Sequence, residues 1–401
     1  MDEGSAPIRP RSRWQSIVKN LFELKNSQCV LFEGNVPENS WGGFSQSGFG
    51  IDVIIFWSLV TGTYNDRVSS PVFVTGCHRS GTNLLYDMLL SSGGFPIYRS
   101  HLAVFESLLP RFGLLDYRKN REKQLRFWLE SKAFRCTGLD ADILSSRILT
   151  DCHSGADFIQ IVMDAVAQKQ GKSRWALYDP DNVLHIEKLK ASIPHGLFLH
   201  IVRDGRDIAL SLRKMGGFRP LPWRRNRTGS LLATALYWAW IVRIGRKSGN
   251  KFPSDYMEIH YEDLVTCPQE SLQKIGAFLE QDLDYARISS VRMGRLSESN
   301  SSFRHEDPEQ RVNPVGRWRQ RLSRAEIAAI ETTIGDCLEE SGYSLSLPEE
   351  ERERGISHKA KRAMYHSFLN AKSWLKQNTL AGRFADLSAL ENENTSFSEA
   401  Q

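Results

Sequence analysis

Two glycines with four residues between them, Gly76 and Gly81, frame the segment Thr75-Gly76-Cys77-His78-Arg79-Ser80-Gly81-Thr82-Asn83. An apolar run precedes it and a helical one follows. A loop so placed aims several backbone N–H groups at one point, and the following helix adds the positive end of its dipole. Glycine at both ends lets the backbone approach an anion closely. Ser80, Thr82 and Asn83 offer side-chain donors, and Arg79 puts a permanent cation inside the loop. The chemistry open to this set is to hold and polarise a phosphate-like anion.

An ATP- or GTP-binding loop carries a lysine after the second glycine, on the terminal phosphates. Here that position is Thr82. The strand-like run that ends in Asp204 does not present a clear Mg²⁺ ligand, because Arg203 and Arg206 flank the carboxylate. The loop therefore reads as a site whose anion is neutralised by protein cations and dipoles, with no metal required. A nucleotide kinase-like enzyme is the competing reading, and a binding module without catalysis is the non-enzyme one.

A second cluster follows in LHIVRDGRDIALSL, residues 199–212. Arg203 stands at the carboxyl end of an apolar run, Asp204 is a natural N-cap, and Ser211 lies two turns into the helix. This arrangement can clamp a second phosphate. His101 is a candidate general base after the first helix, since an ordinary imidazole titrates near pH ~6.5. Glu106 is the reserve. His78, inside the loop, reads equally as a turn residue or a substrate contact.

These residues need a scaffold that brings separate strand ends together. Short apolar strands over Val72–Val74, Leu197–Val202 and Tyr256–His260 alternate with helices over Thr82–Leu90, Asp204–Lys214, Leu231–Arg246 and Pro268–Glu280. Such alternation predicts an α/β fold with a central parallel sheet covered on both faces, and ligands at the strands' carboxyl ends. Residues 102–170 read as a helical insertion. The chain divides into a lead-in over 1–70, a main domain over 71–345 and a tail over 346–401. The lead-in holds a helical pattern over 13–24 and a Gly/Ser-rich turn region over 34–50. Within 357–376, lysines interleave with apolar residues as in a helix docked on the domain or, alternatively, one that touches a membrane surface. The last residues, ENENTSFSEAQ, read as disordered. Tyr237, Trp238 and Trp240 read as core before pocket, and the loop with Arg219, Arg224, Arg225 and Arg227 as solvated.

Composition sets wide bounds. The chain has 401 residues, 41% hydrophobic and 25% charged, with 52 basic against 47 acidic side chains. A net charge of +5 suits an anionic ligand and is no nucleic-acid signature. The N-terminus lacks a signal-peptide pattern, and the apolar run over 51–62 is too short to span a bilayer. A cytoplasmic protein with six reduced cysteines follows as the expectation.

The two clusters together resemble the sulfotransferase family, which uses 3′-phosphoadenosine 5′-phosphosulfate (PAPS) as co-substrate. The resemblance covers about residues 71–345. It implies a three-layer α/β/α fold like that of P-loop NTPases. It implies that the first loop, with Gly76, Arg79, Ser80, Gly81, Thr82 and Asn83, binds the 5′-phosphosulfate, while Arg203 and Ser211 bind the 3′-phosphate. Tyr261, in HYEDL, matches the family's tyrosine-containing segment. Ser301, Ser302 and Phe303 match the adenine-contact segment, and Arg311, Gly316, Trp318 and Arg319 the C-terminal cofactor segment. It implies sulfuryl transfer to an acceptor hydroxyl, on a carbohydrate, lipid, small molecule or peptide tyrosine. Three departures stand out. Arg79 replaces a lysine common in cytosolic members. Arg311-Val312-Asn313 replaces Arg-Lys-Gly, and Tyr178-Asp179-Pro180 stands where one branch has Lys-Thr-Pro.

Overall fold

The computed structural model describes residues 66–215, 227–291, 314–352 and 356–391. All belong to one compact unit, Asn65–Gln401. Expectations for residues 13–24 and 34–50, Arg219 to Arg225, Ser301, Ser302, Phe303, Arg311 and the final ENENTSFSEAQ lie outside the described residues.

Four strands form one parallel sheet: β1 (Val72–Gly76), β2 (Ala176–Tyr178), β3 (Leu197–Val202) and β4 (Tyr256–His260), in the order β2-β1-β3-β4. The three strands expected from sequence are present. β2 is a fourth, too short at three residues for its periodicity to be read. β1 and β3 are buried at every position, as apolar runs in a doubly covered parallel sheet should be.

The side chains of β1 and β3 alternate between two separate cores. Phe73 and Phe198 face one side, their rings stacked with centroids 5.0 Å apart. Val72, Val74, Leu197, Leu199 and Ile201 face the other. Helix α1 (Thr82–Ser91) covers the second face through Leu85, Tyr86 and Leu89. The insertion carries α2 (Arg118–Glu130), α3 (Ala141–Asp151) and α4 (Gly155–Lys169). Local caps start two of them: Asp140 accepts from the N–H groups of Asp142 and Ile143, and Ser154 forms a reciprocal box with Asp157. These bonds satisfy first-turn donors that have no partner within the helix.

After β3 come α5 (Gly205–Met215) and α6 (Arg227–Gly249). They pack so tightly that a Cβ at Gly205 would lie 2.5 Å from the Trp238 ring. Trp238 and Trp240 are buried in the core, so the aromatic stripe is mainly packing. β4 leads into α7 (Tyr261–Thr266) and α8 (Pro268–Leu279). The last third adds α9 (Arg324–Glu340) and α10 (Ile356–Asn378). α10 docks on the body, where Trp240 Nε1 donates to Asn370 Oδ1 at 2.7 Å. No helix among the described residues is long and apolar enough to cross a membrane.

The strand order decides where a ligand fits. The chain leaves β1 for β2 on one side, then crosses to β3 on the other side of β1. Oppositely directed connections leave a crevice at the carboxyl ends of β1 and β3. Both predicted anion clusters begin there.

Candidate active site

The loop after β1 closes on itself before it opens to anything else. Ser80 is fully buried, and its hydroxyl and N–H both turn to the Cys77 carbonyl. Ser80 thus shapes the loop from within. Arg79 takes a left-handed φ of 73°, and Gly81 a φ of 104°. The first is uncommon for a residue with a side chain, and strain of this kind concentrates at functional sites. At Gly81 the conformation and the space both require glycine, since a Cβ there would fall 2.4 Å from the Tyr261 ring. Thr82 is buried at the start of α1, and Asn83 is half-buried beside it.

Arg203, one residue past β3, ties this loop to the rest of the crevice. One Nη donates to the Arg79 carbonyl at 3.2 Å, and the other donates to the Pro314 carbonyl. Its guanidinium lies 4.3 Å from the Tyr261 ring centre. Both acceptors are uncharged carbonyls, and Nε is buried with no hydrogen-bond partner. A cation held this way keeps charge available for an anion. Arg79 Nε donates to Ser211 Oγ at 3.3 Å, joining the two predicted clamps directly. Burial, then the neighbouring cations Arg203 and Arg317, pull the Arg79 guanidinium below its ordinary value.

The C-terminal segment is fastened to the start of α5. Asp207 accepts from the N–H groups of Gly316 and Trp318, both at 2.8 Å. Burial pushes the Asp207 carboxyl up to about 6, although Arg203 acts to lower it. Gly316 has a φ of 69°. Arg319 is exposed and lies over the Trp318 ring at 4.5 Å. Arg317 is buried and is the cation of this segment within electrostatic reach of Arg79 and Tyr261. The sequence reading passed over Arg317, because an arginine between Gly316 and Trp318 has no pattern of its own. Asp204 holds Arg206, whose guanidinium also bonds Glu331 at 2.6 Å and stacks on Trp318 at 3.8 Å.

Beside this cationic crevice lies a second group of titratable side chains. His78 Nε2 donates to Asp181 Oδ1 at 3.1 Å. Burial acts to lower the His78 imidazole, but the charge and hydrogen bond of Asp181 outweigh it and raise it above its ordinary value. Asp181 is held to about 2, because His78 overrides the effect of burial. Its neighbour Asp179 is pushed up to about 7 by burial and then by Asp181. His101 reaches the same group, with Nε2 hydrogen-bonded to Tyr178 Oη at 3.1 Å. Burial, then His78, pushes His101 down to about 4, so its ring is neutral at neutral pH.

Glu106 sits apart from these imidazoles in its bonding. It lies in a single π-helical turn, Val104–Leu108, and accepts from His185 Nε2 at 2.9 Å and Lys376 Nζ at 2.7 Å. Burial would raise it, yet the bond from His185 and the charges of His185 and Lys376 leave it below its usual value. Both its oxygens are engaged, one by His185 and the other by Lys376 of α10. Asp179 and Asp181 were missed as site residues because they follow a strand too short to recognise. No group of three or more His, Cys, Asp or Glu side chains able to hold a metal occurs among the described residues.

Comparison with known proteins adds an independent line. A family model described as the sulfotransferase family matches residues 71–285, more than half of the chain. Among solved structures, the sulfotransferase domain from the curacin biosynthetic pathway is 15% identical, with 69% of this chain and 99% of that chain covered at a TM-score of 0.46. The sulfotransferase domain of the Synechococcus PCC 7002 olefin synthase is 19% identical, with 69% and 95% covered at a TM-score of 0.42. Retinol dehydratase, solved with androsterone and the inactive cofactor PAP, is 16% identical, with 70% and 83% covered at a TM-score of 0.33. No curated protein matches the chain.

Proposed function

The chain belongs to the sulfotransferase family, and from that premise we propose that it transfers a sulfuryl group from PAPS to an acceptor hydroxyl. The observation that carries this reading is the convergence of Arg79 and Arg203 on one glycine loop, with Ser211 bonded between the two clamps. The buried, unpartnered Nε of Arg203 fits a phosphate oxygen, as do the loop N–H groups at the head of α1. PAPS, when bound, supplies the activated sulfuryl group on its phosphate bridge.

In this reading the chain's own residues divide the work. Arg203 and Ser211 hold the 3′-phosphate by charge-assisted hydrogen bonds. Tyr261 keeps the Arg203 plane in place and walls the loop at Gly81. Arg79 and the loop N–H groups stabilise charge on the departing oxygen, which requires preorganised donors and no metal. Gly316 and Arg319 belong to the nucleotide side, with Arg317 added.

The acceptor proton goes to an imidazole beside the loop. His78 is the base this geometry favours. Its Nε2–H is committed to Asp181, which leaves Nδ1 to accept, and Asp181 raises the imidazole above its ordinary value, which makes it the stronger base. His101 is the alternative, neutral but weaker at about 4. Glu106 is bonded at both oxygens and serves better as an anchor.

The test is mass-detected sulfate transfer from PAPS to a panel of carbohydrates, lipids, phenols and tyrosine peptides, with calorimetry against the desulfated nucleotide. Transfer to one class supports the enzyme. Nucleotide binding without transfer to any acceptor points to the silent binding module. Binding of ATP with none of the desulfated nucleotide points to the kinase-like reading.

A further inference from the structure

The outer face of α10 does not look like the outside of an ordinary docked helix. Its inner face packs through Tyr365, His366 and Leu369. Its outer face carries Met364, Phe368, Trp374 and Leu375, each about half exposed or more. Met364, Phe368 and Leu375 recur at spacings of four and seven, so they form one stripe along the helix. Lys361 and Lys372, both exposed, stand beside that stripe, and Lys359, also exposed, lies further round the helix near its start. From Ile356 to Asn378 there is no carboxylate at all.

Two further apolar side chains stand exposed on the fixed turn that follows the helix. Leu380 is 67% exposed and Phe384 is 87% exposed. The turn is held: Thr379 caps it through the Ala381 N–H, and Arg111 donates to the Arg383 carbonyl. A Cβ at Gly382 would lie 2.6 Å from the Pro110 carbonyl, so the turn is seated directly on the insertion. Leu114, 61% exposed, lines the same cleft of about 630 Å³ as Leu380 and Arg383. Exposed apolar clusters of this extent mark interaction sites.

We propose that this face, the outer stripe of α10 with Leu380 and Phe384, docks on an anionic lipid surface. Charge complementarity selects that occupant. Lysines flanking an apolar stripe, with a tryptophan among them and no acidic residue on the helix, match anionic headgroups over an acyl boundary. The nearby Asp386 is tied to the Ser388 N–H at 2.9 Å. The face is also coupled to the candidate active site, because Lys376 of the same helix bonds Glu106. This inference goes beyond the proposed reaction and stands or falls separately from it.

The experiment uses the full chain with sedimented vesicles of phosphatidylcholine alone, and of equal parts phosphatidylcholine and phosphatidylserine. The protein is expected to sediment with the mixed vesicles only, and less as salt rises. The triple change K359A, K361A and K372A should lower the partition constant on the order of a hundredfold. Leu380→Ser with Phe384→Ser should weaken binding on its own. Thermal unfolding of each variant checks that it folds. Absence of binding to the mixed vesicles at low salt overturns the proposal. So does binding that neither variant alters, or a concentration-dependent dimer that the same variants dissolve, since another segment or a second copy would then be implicated. Desulfated-nucleotide affinity, measured alongside, reports on the proposed reaction and should stay unchanged in both variants.

Discussion

Arg79 Nε donates to Ser211 Oγ across 3.3 Å, so the cation of the first clamp touches the hydroxyl of the second. The two clamps hold each other. Ser211→Ala is therefore expected to act twice. It removes a hydrogen bond that a phosphate would receive, worth about tenfold in affinity for the desulfated nucleotide. It also removes the Arg79 contact to that hydroxyl, which should appear as a change in turnover. Calorimetry and initial rates separate the effects, and an unchanged affinity would count against the second clamp.

Arg79 and Arg203 should divide by kinetic signature. Arg203→Ala is expected to weaken nucleotide binding, since its guanidinium, braced by the Tyr261 ring and the Arg79 carbonyl, carries the charge proposed to hold the 3′-phosphate. Arg79→Ala is expected to lower turnover by about a hundredfold or more with a smaller effect on affinity, as for loss of one preorganised donor. Arg79→Lys, which keeps the charge, should recover part of the rate. If Arg79→Ala lost only affinity, its role would be binding.

Gly81→Ala puts a methyl 2.4 Å from the Tyr261 ring at a φ of 104°. The strain, about 1–3 kcal/mol, must be relieved by moving Tyr261 away from Arg203. Nucleotide affinity should fall together with melting temperature. Gly93→Ala is the comparison, with a positive φ but open space around its Cβ, so it should cost stability alone. Equal nucleotide affinities for the two variants would refute the argument.

The acid limb of the rate profile should identify the base. Asp181 holds the His78 imidazole above its ordinary value, so the neutral, proton-accepting form is lost as pH falls through that raised value. Asp181→Asn should move the limb to lower pH. If His101 were the base, the limb would lie near pH 4 and the rate would stay flat above it. Asp179, at about 7, also titrates near neutrality, so Asp179→Asn is the required control. His101→Ala with a near-normal profile would leave the role to His78.

Stability should depend on a buried ion pair behind the site. Arg206 and Glu331 are almost wholly buried and 2.6 Å apart, with Asp204 on the other side of the guanidinium. Removing Glu331 leaves Arg206 paired with Asp204 alone and gives up charge-assisted hydrogen bonds in a buried place, at a cost of about 1.5–3 kcal/mol. Glu331→Gln should show this in urea unfolding at pH 7. Glu331 also accepts from the N–H groups of Ser346 and Leu347, so the loss should extend to that segment. A change below 1 kcal/mol would mean that the pair is dispensable.

The sheet was legible where strands were long enough to be wholly apolar. β1, β3 and the loop between Gly76 and Gly81 could be read because glycine positions and apolar runs are strong local signals. β2 could not, since Ala176-Leu177-Tyr178 has no measurable period, and Asp179 and Asp181 were lost with it. Arg203 and Ser211 were legible from their place at a strand end and on the following helix. Their contact with Arg79 was not, because it depends on how β1 and β3 sit side by side. Glu106 and His101 lie five residues apart in sequence, yet a π-helical turn sends them to different partners. Local spacing carries no information of that kind.

The carboxylate of Asp207 grips N–H groups at Gly316 and Trp318, the first of them 109 residues further along the chain. At translation speeds of about 5–20 residues per second, that gap corresponds to on the order of ten seconds of synthesis. The nascent protein therefore has its glycine loop, Arg203 and α5 in hand well before the segment that completes their surroundings emerges. A chain stalled or truncated before Gly316 would carry a formed loop and an unfastened crevice. Asp207 therefore gains these two partners late in the life of the nascent chain.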